Sequence, residues 1–209
     1  MRHLVSLITV LVLAIAAPAL SAVPSVSGHT RSAPDNADMK AIYDADQSAR
    51  AGDNVDWKLV APQDVKRREQ TNALLAAGAL HTGRDYRYAA FIYQHGDLPD
   101  DYLLAHTLAM VAMSKGDHDA VWIATATLDR YLQTVKQKQI YGTQFSMSYK
   151  PPSPTTQEPY DRRLIPDALR VELHVPTLAA QERQRAEMEG QRAAMMAHIK
   201  GRVAKGAAK

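Results

Sequence analysis

Residues 99–135 read PDDYLLAHTLAMVAMSKGDHDAVWIATATLDRYLQTV. Pro99, Asp100 and Asp101 are a strong helix start. Proline suits a first turn whose N–H has no partner, and acids complement the positive end of the helix dipole. Leu104, Leu108 and Val111 fall on one stripe. Ala105, Ala109 and Ala112 form a small-residue stripe beside it, which lets another helix approach closely. Gly116 is expected to end this helix after about Ser114, and Asp117 to cap the next, over 119–135. Helices joined by so short a turn must pack antiparallel, so the stretch reads as a helical hairpin.

The flanking chain is also helical in pattern, and no convincing period-two run marks a strand. A first helix is expected over 37–50, with Met39, Ile42, Ala45 and Ala49 on one face and Tyr43, Asp46, Gln47 and Arg50 on another. Pro62 suits the first turn of a second helix running to about Leu80, with Asp64 near its positive end. A third is expected over 84–95, ended by a left-handed Gly96. Residues 146–160 carry Pro151, Pro152, Pro154 and Pro159 and are expected to form an irregular surface arm. A short helix near 167–173 and a charged final helix from Pro176 to about Lys200 follow. That last helix has a sparse stripe at Met188, Met195 and Ile199, and a disordered end, GRVAKGAAK. The expectation is an all-α fold, one domain of about six helices. Its hairpin centre looks like a tetratricopeptide or Sel1-type unit, although no repeat period recurs.

The amino terminus has the layout of a cleaved signal peptide over 1–22: a basic start at Arg2 and His3, an apolar run over 4–17, then small residues. The apolar run is shorter than the roughly 20 residues a spanning helix needs, so no stable membrane insertion is expected after cleavage. A disordered linker over 23–36, a helical domain over 37–176 and a charged carboxy-terminal helix and tail over 177–209 complete the expected organisation. The protein is thus expected to be exported, to the periplasm or as a secreted protein. With no cysteine in 209 residues, disulfides, thiolate metal sites and cysteine nucleophiles are excluded. Seven Lys and Arg against three acids over 176–209 account for the formal charge of +3, leaving a nearly neutral body. Without basic–aromatic interleaving there, a nucleic-acid partner is not expected.

Chemistry concentrates in residues 128–145, LDRYLQTVKQKQIYGTQF, at a helix-to-loop exit. Asp129, placed by Ala126 and Trp122 toward the apolar side of its helix, needs a partner. Arg50 or a backbone amide of the loop over 139–144 would serve. Arg50 and Gln47 are expected to reach that loop from the first helix, although an ordinary i, i+4 pair also explains Asp46 with Arg50. His106, among apolar neighbours in mid-helix, reads first as a core histidine with one hydrogen bond. There is no His-x-x-x-His or His-Glu-x-x-His pattern, no Gly-x-Ser-x-Gly and no phosphate-binding glycine loop, so no metal site and no cofactor are expected.

Asp46, Gln47 and Arg50, then Asp129 and Arg130, then Gln139, Tyr141, Gly142, Thr143 and Gln144 form an ordered set. It resembles an uncharacterised bacterial family of unknown function that carries Asp-Gln-x-x-Arg, Asp-Arg and Gln-x-Tyr-Gly-Thr-Gln elements. The resemblance covers roughly residues 38–176 and implies neither an activity nor a cofactor. The leading functional expectation is a binding or interaction module. Its polar site, formed by the first helix and the 139–144 loop, would hold a polar small molecule or peptide through Gln47, Arg50, Arg130, Gln139, Tyr141, Thr143 and Gln144. One alternative is a hydrolase-like enzyme using Asp129 or Asp46 with His106. Another is a purely structural polar cluster. Oligomeric state is not legible.

Overall fold

Helix α4, Pro99–Ser114, occupies the expected span, and its buried centre is the small-residue stripe. Ala105, Ala109 and Ala112 are wholly enclosed with Leu108, whereas Leu104 and Val111 are only half-buried. Methyl-sized contacts let α4 pack closely against both α3, Gly83–Tyr93, and α5, Val121–Thr134. The structure is a computed structural model describing residues 33–52, 55–148 and 154–207. The expected signal peptide and most of the expected linker lie outside these residues. The last linker residues do not read as loose. Asn36 caps α1, Ala37–Ala49, and its amide donates to the Ala79 carbonyl, while Asp35 accepts from Thr82 and Arg84.

Among the described residues the chain forms seven α-helices and no sheet, an all-α fold. Tyr88, Tyr43, Phe91 and Trp122 make a series of ring contacts across α1, α3 and α5, edge-on between Tyr43 and Phe91 and stacked at the other two, beside a core built from Met39, Leu80, Ile92 and Ile123. Helix α2, Trp57–Ala76, begins before the expected proline start, because Asp56 caps it by accepting from the Lys58 amide. Pro62 therefore sits beyond the first turn. It is tolerated there because it and Lys58 are exposed, so water can satisfy the carbonyl that loses its N–H partner. Gly96 is not left-handed. A Cβ there would strike the Asp101 side chain, which accepts from the Asp97 and Leu98 amides at 3.1 Å each. Asp117 does not cap α5. A 3-10 turn, His118–Ala120, starts that helix instead, and Asp117 accepts from the Arg87 Nε at 2.8 Å.

Two expectations for the carboxy-terminal third are overturned. The proline-rich segment is not a surface arm. Its described part returns along the 139–146 segment: Gln139 N donates to Pro159 O at 3.0 Å, Asp161 N to Gln139 O at 2.9 Å, and Ser146 and Thr156 exchange backbone bonds. Thr155, Gln157 and Tyr160 are buried. Prolines forbid a helix there, but an extended strap can still bond through the residues between them. Nor does a domain boundary fall after Pro176. Helix α7, Leu178–Ala207, runs past Lys200. Its Gln181 is buried, and Glu189 and Arg192 bond to Thr155 and Ser148. The short helix α6, Asp167–Glu172, forms as expected and buries Arg170. No helix among the described residues is long and apolar enough to cross a membrane.

Candidate functional site

After Thr134 the chain turns through Lys136, at φ 62°, so that residues 139–144 run back beside the end of α5. This places four donors on Asp129. Oδ1 accepts from the Ile140 and Tyr141 amides at 2.8 and 3.0 Å. Oδ2 accepts from the Thr143 amide and hydroxyl at 2.9 and 2.8 Å. The carboxylate is fully enclosed and fully bonded, so the loop amides, not Arg50, are its partners. Its burial follows the Ala126 side of the helix. Trp122, also used to place it, is 45% exposed.

The rest of the loop is equally committed. Gln139 Oε1 accepts from Gln144 N at 3.0 Å, and its Nε2 donates to the carbonyls of Gln144 and Gln157. Gln157 Nε2 donates to Gly142 O at 2.6 Å. Gln181 Nε2 donates to Tyr141 O at 2.8 Å, and its Oε1 accepts from the Tyr160 hydroxyl at 2.9 Å. Arg170 also donates to Tyr141 O. Gly142 has φ 76°, and a Cβ on it would strike Gln181 and the Tyr160 ring, so this position needs glycine twice over. Gln139, Gly142 and Thr143 thus hold the loop together. Burial, and secondly the charge of Asp129, push the Tyr141 phenol above its ordinary value.

Arg130 points elsewhere. With Tyr102, Gln133, Thr134, Gln144 and Phe145 it lines an open groove of about 350 Å³ to which no described residue brings a carboxylate. It forms no ion pair among the described residues, and its Nε is buried without a hydrogen-bond partner. Burial pulls its pKa below the usual guanidinium range, opposed by the neighbouring Tyr102 hydroxyl, which itself donates to Gly96 O at 2.7 Å.

The first-helix residues belong to a different cluster. Arg50 donates to Asp46 Oδ1 at 2.7 Å and to Asp64 Oδ2 at 2.6 Å. Gln47 donates to Asp46 Oδ2 at 2.9 Å, and Arg67 to Asp64 Oδ1 at 2.8 Å. His95 Nε2 lies 3.5 Å from Asp46 Oδ2. Two carboxylates and two guanidinium groups close this network across α1 and α2. Among the described residues no hydrogen bond or ion pair joins it to the 139–144 loop, so the expected joint site separates into two. The physical reason is reach: Asp64 and Arg67 lie one helix away and satisfy Arg50 and Asp46 first. His106 Nδ1 sits 2.9 Å from Ala124 O, a core bond between α4 and α5, and it bonds to neither Asp129 nor Asp46.

Asp64 and Arg67 are an i, i+3 pair that the sequence does show, but their link to Asp46 and Arg50, and that of His95 to Asp46, joins residues distant in sequence and carries no local signal. Arg130, Gln133 and Thr134 were legible together, since i, i+3 and i+4 share a helix face. Among the described residues no group of three or more His, Asp and Glu side chains could hold a metal ion. No family model matches the chain, and it matches no curated protein and no solved structure.

Proposed function

We propose that this protein is an exported binding module that holds a polar ligand by an anionic group in the Arg130 groove. The observation that carries this reading is Arg130, a mostly buried guanidinium with no acidic partner among the described residues, beside an open groove. A buried cation without a counter-charge costs several kcal/mol, and an incoming anion offsets that cost. The support is rigid, because the Asp129 bonds lock the loop that carries Gln144 and Phe145. Export rests on the amino-terminal sequence. The resemblance to the uncharacterised bacterial family belongs to the same proposal: its Asp-Arg and Gln-x-Tyr-Gly-Thr-Gln elements meet at this groove, and its Asp-Gln-x-x-Arg element braces α1 on α2.

The test is thermal unfolding across a panel of small carboxylates, phosphates and neutral amides. Anionic members should raise the midpoint of the native protein and leave Arg130→Gln unmoved. Saturation at about 100 times Kd is worth about 2.7 kcal/mol. Equal shifts in both proteins, or none in either, remove the reading. The approach of His95 to Asp46 favours a second reading, a hydrolase-like acid–base pair. Both Asp46 oxygens already accept from Arg50 and Gln47, which favours a brace. Hydrolysis of a generic ester that is abolished by His95→Gln without loss of stability would reverse that order.

A further inference from the structure

We infer that the Arg130 groove takes the carboxyl terminus of a peptide, recognising its carboxylate and the adjacent backbone N–H. This rests on the anion-binding reading above and adds the ligand class. Charge comes first. Among the described residues Arg130 is the one charged residue lining the groove. One positive charge matches a carboxylate. A phosphate ester, at about −1.5 to −2, would leave surplus negative charge in a partly buried place. The planar guanidinium also suits two-point contact with a planar carboxylate.

Donor and acceptor accounting narrows the ligand further. Gln144 Nε2 is spent on Ala126 O at 3.2 Å and Thr143 Oγ1 at 2.9 Å, which leaves its Oε1 as an acceptor. This orientation is forced: the Thr143 hydroxyl proton already goes to Asp129, so Thr143 Oγ1 must accept. The Thr134 hydroxyl donates to Arg130 O at 2.8 Å, and the Tyr102 hydroxyl donates to Gly96 O. Gln144 Oε1 and the Thr134 hydroxyl therefore offer only lone pairs, the Tyr102 oxygen already faces Arg130, and the N–H groups left among the described residues are those of Arg130, the Gln133 amide and the Phe145 backbone. A ligand that satisfies this lining carries a carboxylate with an N–H donor close by.

Two common molecules do so. A free amino acid brings an ammonium group, a second cation in a groove to which no described residue brings an acid. The last residue of a peptide brings a neutral amide N–H instead. Tyr102 and Phe145 are the lining residues with apolar surface to meet its side chain.

The experiment is calorimetric titration of the full chain with four probes: N-acetyl-trialanyl-leucine, the same peptide with an amidated carboxyl end, free leucine, and inorganic phosphate. The free-carboxylate peptide should bind at least tenfold more tightly than the other three. Arg130→Gln should abolish that binding, and Gln133→Leu, a half-buried helix position that leaves the guanidinium in place, should weaken it several-fold. Phosphate or free leucine binding as tightly as the peptide, with loss in Arg130→Gln, overturns the peptide inference while the anion reading stands. Equal binding of the two peptide forms, or heat from none of the four probes together with no midpoint shift across the anion panel, overturns both. Peptide binding unaffected by Gln133→Leu and Arg130→Gln alike places the site elsewhere and overturns the inference.

Discussion

Asp129 shows how one buried charge organises a loop. Its four donors come from three residues of the 139–144 segment, so removing its charge leaves amide N–H groups facing an Asn that must turn one of its own donors toward them. Asp129→Asn should lower stability by about 2–4 kcal/mol, read from chemical denaturation. Thr143→Ala should couple with it in a double-mutant cycle, because the two share a bond. Arg50→Gln should add to it independently, since Arg50 is held by Asp46 and Asp64. Coupling above about 0.5 kcal/mol between Asp129 and Arg50 would contradict the separation of the two clusters. Arg130 should behave in the opposite way to Asp129. With no acidic partner to orphan, Arg130→Gln should leave the unliganded midpoint unchanged or raise it. A marked fall would mean that the guanidinium is a brace and would count against the proposed groove. Asp85 supplies a pH signature. Burial pushes its carboxyl up, but backbone amides of Thr82, His81 and Asn36, with the Thr82 hydroxyl, prevail and hold it below its ordinary value. A group lowered in the folded state stabilises above its unfolded pKa, and that stabilisation is lost as pH falls through the folded value. Unfolding midpoints should therefore fall below about pH 4, less steeply in Asp85→Asn.

Among the helices, the ends carry the sharpest expectations. Lys136 and His174 close α5 and α6 at φ 62° and 54°, a left-handed conformation that glycine adopts without strain. Lys136→Gly should stabilise by up to about 1 kcal/mol, a rise of roughly 2–4 °C in a chain of this size. A fall would mean that the Lys136 side chain makes a compensating contact. Helix α7 divides at Arg192. Up to there Gln181, Arg185, Glu189 and Arg192 bond to the strap and the 139–144 loop, whereas Met195 and Ile199 beyond it are exposed. Read from sequence alone, deletion of residues 180–209 should be nearly silent. In the folded chain that deletion removes Gln181 and strips partners from Tyr141, Gln157 and Tyr160. Deletion of 180–209 should give an insoluble or early-melting protein, while deletion of 193–209 should shift the midpoint little. Equal tolerance of both would show that the strap stands without α7.

For the molecule as a whole, the all-α class, the α4–α5 hairpin and the span of α4 were readable because they depend on periodicity and end signals within a few residues of each other. The density of polar side chains over 128–145 was readable for the same reason. Which of those side chains a ligand could reach was not. Asp129, Gln139 and Thr143 look like a site in the sequence and are consumed by the fold, while their neighbour Arg130 is left without an acidic partner among the described residues. That outcome depends on Gln157, Tyr160, Arg170 and Gln181, which approach from 18 to 40 residues away and carry no local mark of their role. Likewise Asp46 and Asp64 captured Arg50 before the loop could. Local pattern sets helix, turn and apolar face, because those follow from backbone geometry over one or two turns. The pairing of buried polar groups follows from which elements pack together, and that choice is settled by the whole core at once.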